Sequence, residues 1–243
     1  MLADDVRGVF YITLKDLRAY YLKPPNISWG ILFPVAFILA FAIRGTGDLQ
    51  ALVPGLLALT VLFGTSSMEA IVIVFERRTG ALERLLLAPL RLPAVLAGKL
   101  LGGIVFGLTV TGAVLLATTL VFGDGSINWL LLGLTLCASA LAFSAMGAFV
   151  SVAVREIFEA QTLANFIRFP MMFLGGVFVP LDALPGGLQV VARLLPLTYA
   201  VEALRAAYDG RSLSAALPDL LILLAYAAVL FALAVRVLAH RLE

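Results

Sequence analysis

Apolar residues along this chain do not alternate with polar ones; they gather into long blocks separated by short charged segments, the pattern of helices that cross a membrane. The blocks predict six spans of about 20 residues or more, at 27–43, 49–75, 93–122, 127–154, 163–181 and 217–239. Pro34 in the first is tolerated where neighbouring helices repair the freed backbone bond. The second is long enough to tilt or to project past the bilayer. Lys99 sits near enough to the start of the third to snorkel to the interface, and GDGS after Phe122 reads as a short polar turn.

Between the blocks, four segments carry a different pattern. Residues 5–22 place Val6, Phe10, Leu14, Leu17 and Tyr21 on one helical face and Asp5, Arg7, Lys15, Asp16 and Arg18 on another. Such a helix is expected to lie along the membrane surface, with Tyr20, Tyr21 and Trp29 at the interface. Residues 76–90 form a second amphipathic helix, with Leu82, Leu85, Leu86 and Leu90 on one face and Glu76, Arg77, Gly80, Glu83 and Arg84 on the other. Periodicity alone fits two readings of it, a docking surface for a cytoplasmic partner and an interfacial helix that caps two spans. A third charged stretch runs from Arg155 to Arg168 into the fifth span. Residues 182–216 are too apolar for a water-exposed loop and are interrupted by Pro185 and Pro196. They predict a re-entrant hairpin of two short helices dipping into one leaflet.

Composition agrees with this reading and narrows it. Of 243 residues, 62% are apolar and 13% charged, far from the roughly even balance of soluble domains; the mean hydropathy is +1.07. The expected fold class is therefore an all-α integral membrane protein, one domain over 1–243 with little room for a soluble part. A net charge of +2, dispersed, gives no footprint for nucleic acid. Cys137 alone excludes an internal disulfide and reads as a small packing residue. His240 beside Arg241 reads as solvated or facing headgroups. Asp4 and Asp5 stand where a secretory signal would be basic, so no cleavable leader is expected. Of the 17 Lys and Arg, all but Arg44, Arg193, Arg205 and Arg211 fall on one side of the six spans. That side is expected to be cytoplasmic and to hold both termini, in a multi-pass protein of the cell (inner or plasma) membrane.

The sequence FERRTGALERLLLAPL, residues 75–90, resembles the coupling segment of the type-2 ABC exporter permeases. In that family the pattern is close to E-x-x-x-G-T/A-L-E-x-L-L-x-x-P, matched at Glu76, Gly80, Ala81, Leu82, Glu83, Leu85, Leu86 and Pro89. The stretch from Arg168 to Arg205 is similar to the family's second signature, with Pro196, Leu197, Tyr199 and Arg205 at its P-L-T/x-Y-x-x-x-x-x-R core. The resemblance implies a permease half, paired with a second half as a homodimer or with a similar chain, working with two copies of an ABC ATP-binding subunit. Residues Glu76, Arg77, Arg78, Gly80, Leu82, Glu83, Arg84, Leu85, Leu86 and Pro89 would dock into that subunit, with Arg155, Glu156 and Glu159 beside them and the N-terminal helix packed near it. ATP and magnesium would sit on the partner, with no cofactor in this chain. The one Gly-Lys pair, Gly98–Lys99, fails as a phosphate loop, with Pro93 at the first glycine position and Leu100 where a hydroxyl is needed.

Inside the apolar blocks a few polar residues are candidates for a transport path or gate: Glu69, Arg168, Pro196, Tyr199, Glu202 and Arg205. Glu69 lies only about 10 Å from the end of its span at roughly 1.5 Å per residue, and a structural pairing with Arg168 or Lys99 competes with a transport role. For Glu202 and Arg205, a local ion pair competes with an exit gate. The spacings Gly98–Gly102 and Gly103–Gly107 permit close helix contact. Short outer loops favour an amphiphile entering from the membrane, such as a drug, lipid or lipid-linked sugar, and no span concentrates aromatic residues as a polysaccharide channel would. An alternative, a proton- or sodium-driven secondary transporter, would need mid-membrane acidic relays and two interrupted repeats. An intramembrane enzyme would need a nucleophile with its base, or a metal cluster; neither a catalytic nor a metal site is expected.

Overall fold

Helices and turns account for all the structure that the computed structural model describes, over residues 2–23, 36, 49–123 and 125–241. The first expected span, 27–43, lies outside the described residues except for residue 36. Helix α1, Leu2–Asp16, continues into a π-helical turn, Leu17–Tyr21. There follow α2 (Leu49–Arg78), α3 (Ala81–Leu86), α4 (Leu92–Phe122), α5 (Trp129–Ala153) and α6 (Ile157–Leu174). After a 3-10 turn, Leu181–Ala183, come α7 (Gly186–Ala192), α8 (Pro196–Tyr208) and α9 (Leu213–His240). Among the described residues four helices are long and apolar enough to cross a membrane: Gln50–Arg78, Leu92–Phe122, Trp129–Ala153 and Leu213–His240.

Two expected elements end differently, each at a glycine. The helix expected over 76–90 is two pieces, because α2 runs on to Arg78 and Gly80 then takes a left-handed conformation, φ 69°, before α3 begins. A β-carbon there would be strained, so the break is written into the backbone. The span expected over 163–181 is instead the helix Ile157–Leu174, which begins inside the charged stretch and stops where Gly176 turns the chain at φ 78°. The segment 182–216 contains two short helices, α7 and α8, but α9 starts at Leu213 and takes over its last residues.

Helices in lipid gain little from burying apolar surface against one another, so close packing of small residues holds them together. Here α2 is clasped on two sides. A β-carbon on Gly107 of α4 would lie 2.9 Å from the Thr65 amide nitrogen, and one on Gly147 of α5 would lie 2.8 Å from the Ser66 carbonyl oxygen. Around this clasp Leu57, Leu62, Phe143, Leu197, Leu204 and Leu223 fill one core shared by α2, α5, α8 and α9. Cys137 faces outward, not into it.

Contacts of α1 and its π-helical turn with α4 advance together along both helices, from Asp5–Arg91 through Thr13–Gly98 to Tyr21–Phe106. So α1 lies lengthwise against the first turns of α4. Each of the two faces expected over 5–22 is divided: Asp5 and Asp16 are buried while Arg7 and Arg18 stay exposed, and Val6 and Phe10 are 67% and 62% exposed while Tyr21 is buried. Ionic partners on α2 and α4 draw the carboxylates inward, and this leaves part of the apolar stripe facing out.

Candidate functional site

The segment between α2 and α4 has an exposed tip and two buried roots. At the tip, Arg78, Glu83, Arg84 and Pro89 are exposed, Leu87 is 86% exposed, and Leu82 turns inward to 1%. Gly80, Leu85 and Leu86 are half-buried. Arg155, Glu156 and Glu159, at the start of α6, are exposed beside this tip, and Arg78 reaches Glu156 at 3.5 Å. Glu159 accepts from the amides of Arg155 and Glu156 at 3.1 and 3.3 Å, capping α6.

Arg77 turns away from the tip and donates to the Val154 carbonyl at 2.5 Å. Arg241 donates to the same carbonyl at 2.9 Å and to that of Ala153 at 2.6 Å. Two guanidinium groups thus meet the negative C-terminal end of α5, where cations are favoured. The ends of α2, α5 and α9, the start of α6 and the tip all gather on one end of the molecule.

Glu76, expected on the docking face, is fully buried at the root. Its Oε2 accepts from Lys99 Nζ and its Oε1 from Lys15 Nζ, the latter at 2.5 Å. Lys99 also reaches Asp16 Oδ2 at 3.3 Å, and Lys15 reaches Asp16 Oδ1 at 2.7 Å. Lys99 is 1% exposed and does not snorkel to the interface as expected. Two ammoniums and two carboxylates from α1, α2 and α4 therefore neutralise one another, the condition for tolerating buried charge. Burial opposes the charge on Lys15, but its hydrogen bonds to Asp16 and Glu76 prevail and hold its pKa above the usual lysine value. Burial raises Asp16 despite both lysines. Burial, then the charge of Glu76, pushes the Tyr20 phenol up to about 12.

Glu69 pairs with neither expected partner. The Tyr21 hydroxyl donates to its Oε2 at 2.6 Å, just where Gly103 of α4 leaves room. Arg168, also fully buried, donates to the Ser66 carbonyl at 2.8 Å and lies 5.7 Å from the Phe63 ring centre. On the α7–α8 pair, Pro196 opens α8 and the Tyr199 hydroxyl donates to the Arg193 carbonyl at 2.6 Å. Arg205 donates to the Gly176 carbonyl at 2.5 Å, in place of an ion pair with the exposed Glu202. Tyr199 and Arg205 thus pin α8 to α7 and to the end of α6.

Pattern reading missed Asp16, Lys15 and Tyr21 as members of this cluster, and Asp5 as the partner of Arg91. One signal was available. A lysine and a glutamate at the ends of consecutive apolar spans need counter-charges, and the neighbouring charged helix held them.

Residues 7–208 match the family described as ABC-2 type transporter. The chain is 29% identical over 194 residues to the inner membrane transport permease YadH of Escherichia coli K12, covering 78% of this chain and 75% of the relative. It is 27% identical over 218 residues to the daunorubicin resistance ABC transporter permease protein DrrB1 of Streptomyces coeruleorubidus, covering 81% and 73%. The putative transport permease YvfS of Bacillus subtilis is 25% identical over 204 residues, with 76% and 78% covered.

Proposed function

Because this chain belongs to the ABC-2 type transporter family, and is a multi-pass membrane subunit of the kind that pairs with ATP-binding subunits, we propose that it is the permease of an ATP-driven exporter. The observation that carries this reading is the exposed tip of 78–89, offered beside the α6 start on the end of the bundle where the cytoplasmic basic residues gather. Two ATP-binding subunits, each holding ATP and magnesium, dock there, and two copies of this chain enclose the substrate route. Both termini face the cytoplasm. Nucleotide binding draws the ATPases together and the tip moves with them, repacking the spans. The chain itself makes and breaks no covalent bond. Short outer connections and the drug-resistance name of DrrB1 support a small amphiphile as substrate.

The test is to co-purify the chain with an ATPase encoded beside its gene and to measure binding and permease-dependent ATP hydrolysis for Glu83→Arg. Reversing this exposed charge is expected to weaken the complex at least tenfold while leaving the permease folded. Unchanged binding and turnover would end the docking reading, and substrate movement driven by an ion gradient without ATP would end the exporter reading.

A further inference from the structure

Helix α1 crosses both roots of the 79–91 segment. At its start Asp5 accepts from Arg91 Nε at 2.6 Å, from another guanidinium nitrogen at 2.5 Å and from the Arg91 amide at 3.2 Å. At its finish Lys15 and Asp16 close on Glu76 and Lys99. In between, Thr13 donates to the Gly98 carbonyl at 2.8 Å, and a β-carbon on Gly98 would meet Ile12 Cβ at 2.9 Å. Close fit therefore joins α1 to α4, whereas at Glu76 charges join α1 and α4 to the end of α2, beside the edge contact of the Tyr20 and Phe75 rings.

From this we infer that Lys99 is a positioning residue for energy coupling: by holding Glu76 and Asp16 together it makes α1 and the 79–91 segment one moving body. The inference rests on the docking reading above. The charge carries the link, not the bulk. Lys99 is 1% exposed and cannot trade its carboxylates for water, while the Lys15 side chain is 45% exposed and can. Methionine would fill a similar volume and hold neither carboxylate; arginine would hold both.

The full chain, carrying Cys137→Ser with spin labels at Arg7→Cys on α1 and Arg84→Cys at the tip, would be placed in lipid nanodiscs and the label separation measured by pulsed electron resonance. One narrow distance is expected, unchanged when the complex with its ATPase is trapped with ATP and vanadate. Lys99→Met should at least double the width of the distribution and lower the kcat of permease-dependent ATP hydrolysis at least tenfold with KM for ATP unaltered. Lys99→Arg should restore both. A native distance distribution and native turnover in Lys99→Met would overturn the inference, as would failure of Lys99→Arg to restore a folded variant. Should Lys99→Met not fold, Lys99→Gln, which keeps a donor without the charge, decides: a broadened distance upholds the link, and a native distance with native turnover overturns it. Loss of ATPase binding by the unmodified chain would refute the docking reading alone, since the distance is read on the permease by itself.

Discussion

The Arg168 guanidinium donates to the Ser66 carbonyl at 2.8 Å, joining α6 to α2 with no ion pair to Arg168 among the described residues. A buried cation without a carboxylate is a costly way to join two helices, and removing it strands a carbonyl that already serves its own helix and the oxygen of the half-buried Asn165, which accepts from Arg168 at 3.3 Å. Arg168→Met should therefore change unfolding stability by no more than about 1 kcal/mol. Thermal unfolding in detergent checks this, and transport by the same variant shows what the cation is kept for. A loss of several kcal/mol would make Arg168 a structural strut and remove it from the transport-path candidates.

Glycines on one helix should respond oppositely to a methyl group. At Gly107 an added β-carbon would meet the Thr65 backbone nitrogen at 2.9 Å, whereas at Gly112 nothing lies within 4 Å. Gly107→Ala forces α2 and α4 apart and is expected to cost about 1–3 kcal/mol. Gly112→Ala relieves a helix-interior glycine and should gain roughly 0.5–1 kcal/mol. Unfolding midpoints of the two variants, measured side by side, test the clasp; equal effects would mean that α2 and α4 are not in contact at Gly107.

Much of this was legible because apolar blocks and glycine spacing are local properties. The pairs Gly98–Gly102 and Gly103–Gly107 announced close contacts, and the structure divides them: the first pair receives α1 and Tyr21, the second α2. In α1, periodicity reports which residues share a face but not which of them have partners elsewhere in the chain. Asp5 and Asp16 looked like a wetted side until Arg91 and Lys99 from a distant part of the chain met them. Glu76 was misplaced for the same reason. Its family pattern puts it in the docking segment, but the left-handed turn at Gly80 separates it from the tip and leaves it at the root. The outward charges of Glu83 and Arg84 needed no partner to be read correctly.

The attachment of α1 should depend on acidity at its N-terminal end. Hydrogen bonds from the Arg91 side chain and backbone hold the Asp5 carboxyl below its ordinary value. A depressed carboxyl stabilises the fold above the unfolded-state pKa and loses that contribution as pH falls through the folded one. Below the ordinary aspartate range, then, amide protection in the first turns of α1, taken against the intrinsic exchange rate at each pH, should fall, and Asp5→Asn should show the lower protection already at neutral pH. A variant whose protection still falls on acidification as the native chain's does would place the trigger elsewhere.

Leu87 should be an anchor for the ATP-binding partner. It caps α3 at 86% exposure, one turn beyond Glu83 and Arg84, so an apolar side chain and two charges share the outer side of the tip. A side chain that a partner buries at the centre of an interface, ringed by contacts that exclude water, is where binding energy concentrates, and an anchor worth about 2 kcal/mol corresponds to roughly a thirtyfold change in Kd. Leu87→Asp is therefore expected to weaken the complex by that factor or more while the isolated permease unfolds at its native temperature, because an exposed side chain contributes little to the folded chain. The competing account seats Leu87 in the bilayer edge. A new carboxylate would then lower membrane insertion and yield, and whatever protein survived would bind the ATPase with native affinity. Titration of purified ATPase onto nanodisc-held permease separates the two outcomes, since one moves Kd at constant yield and the other moves yield at constant Kd.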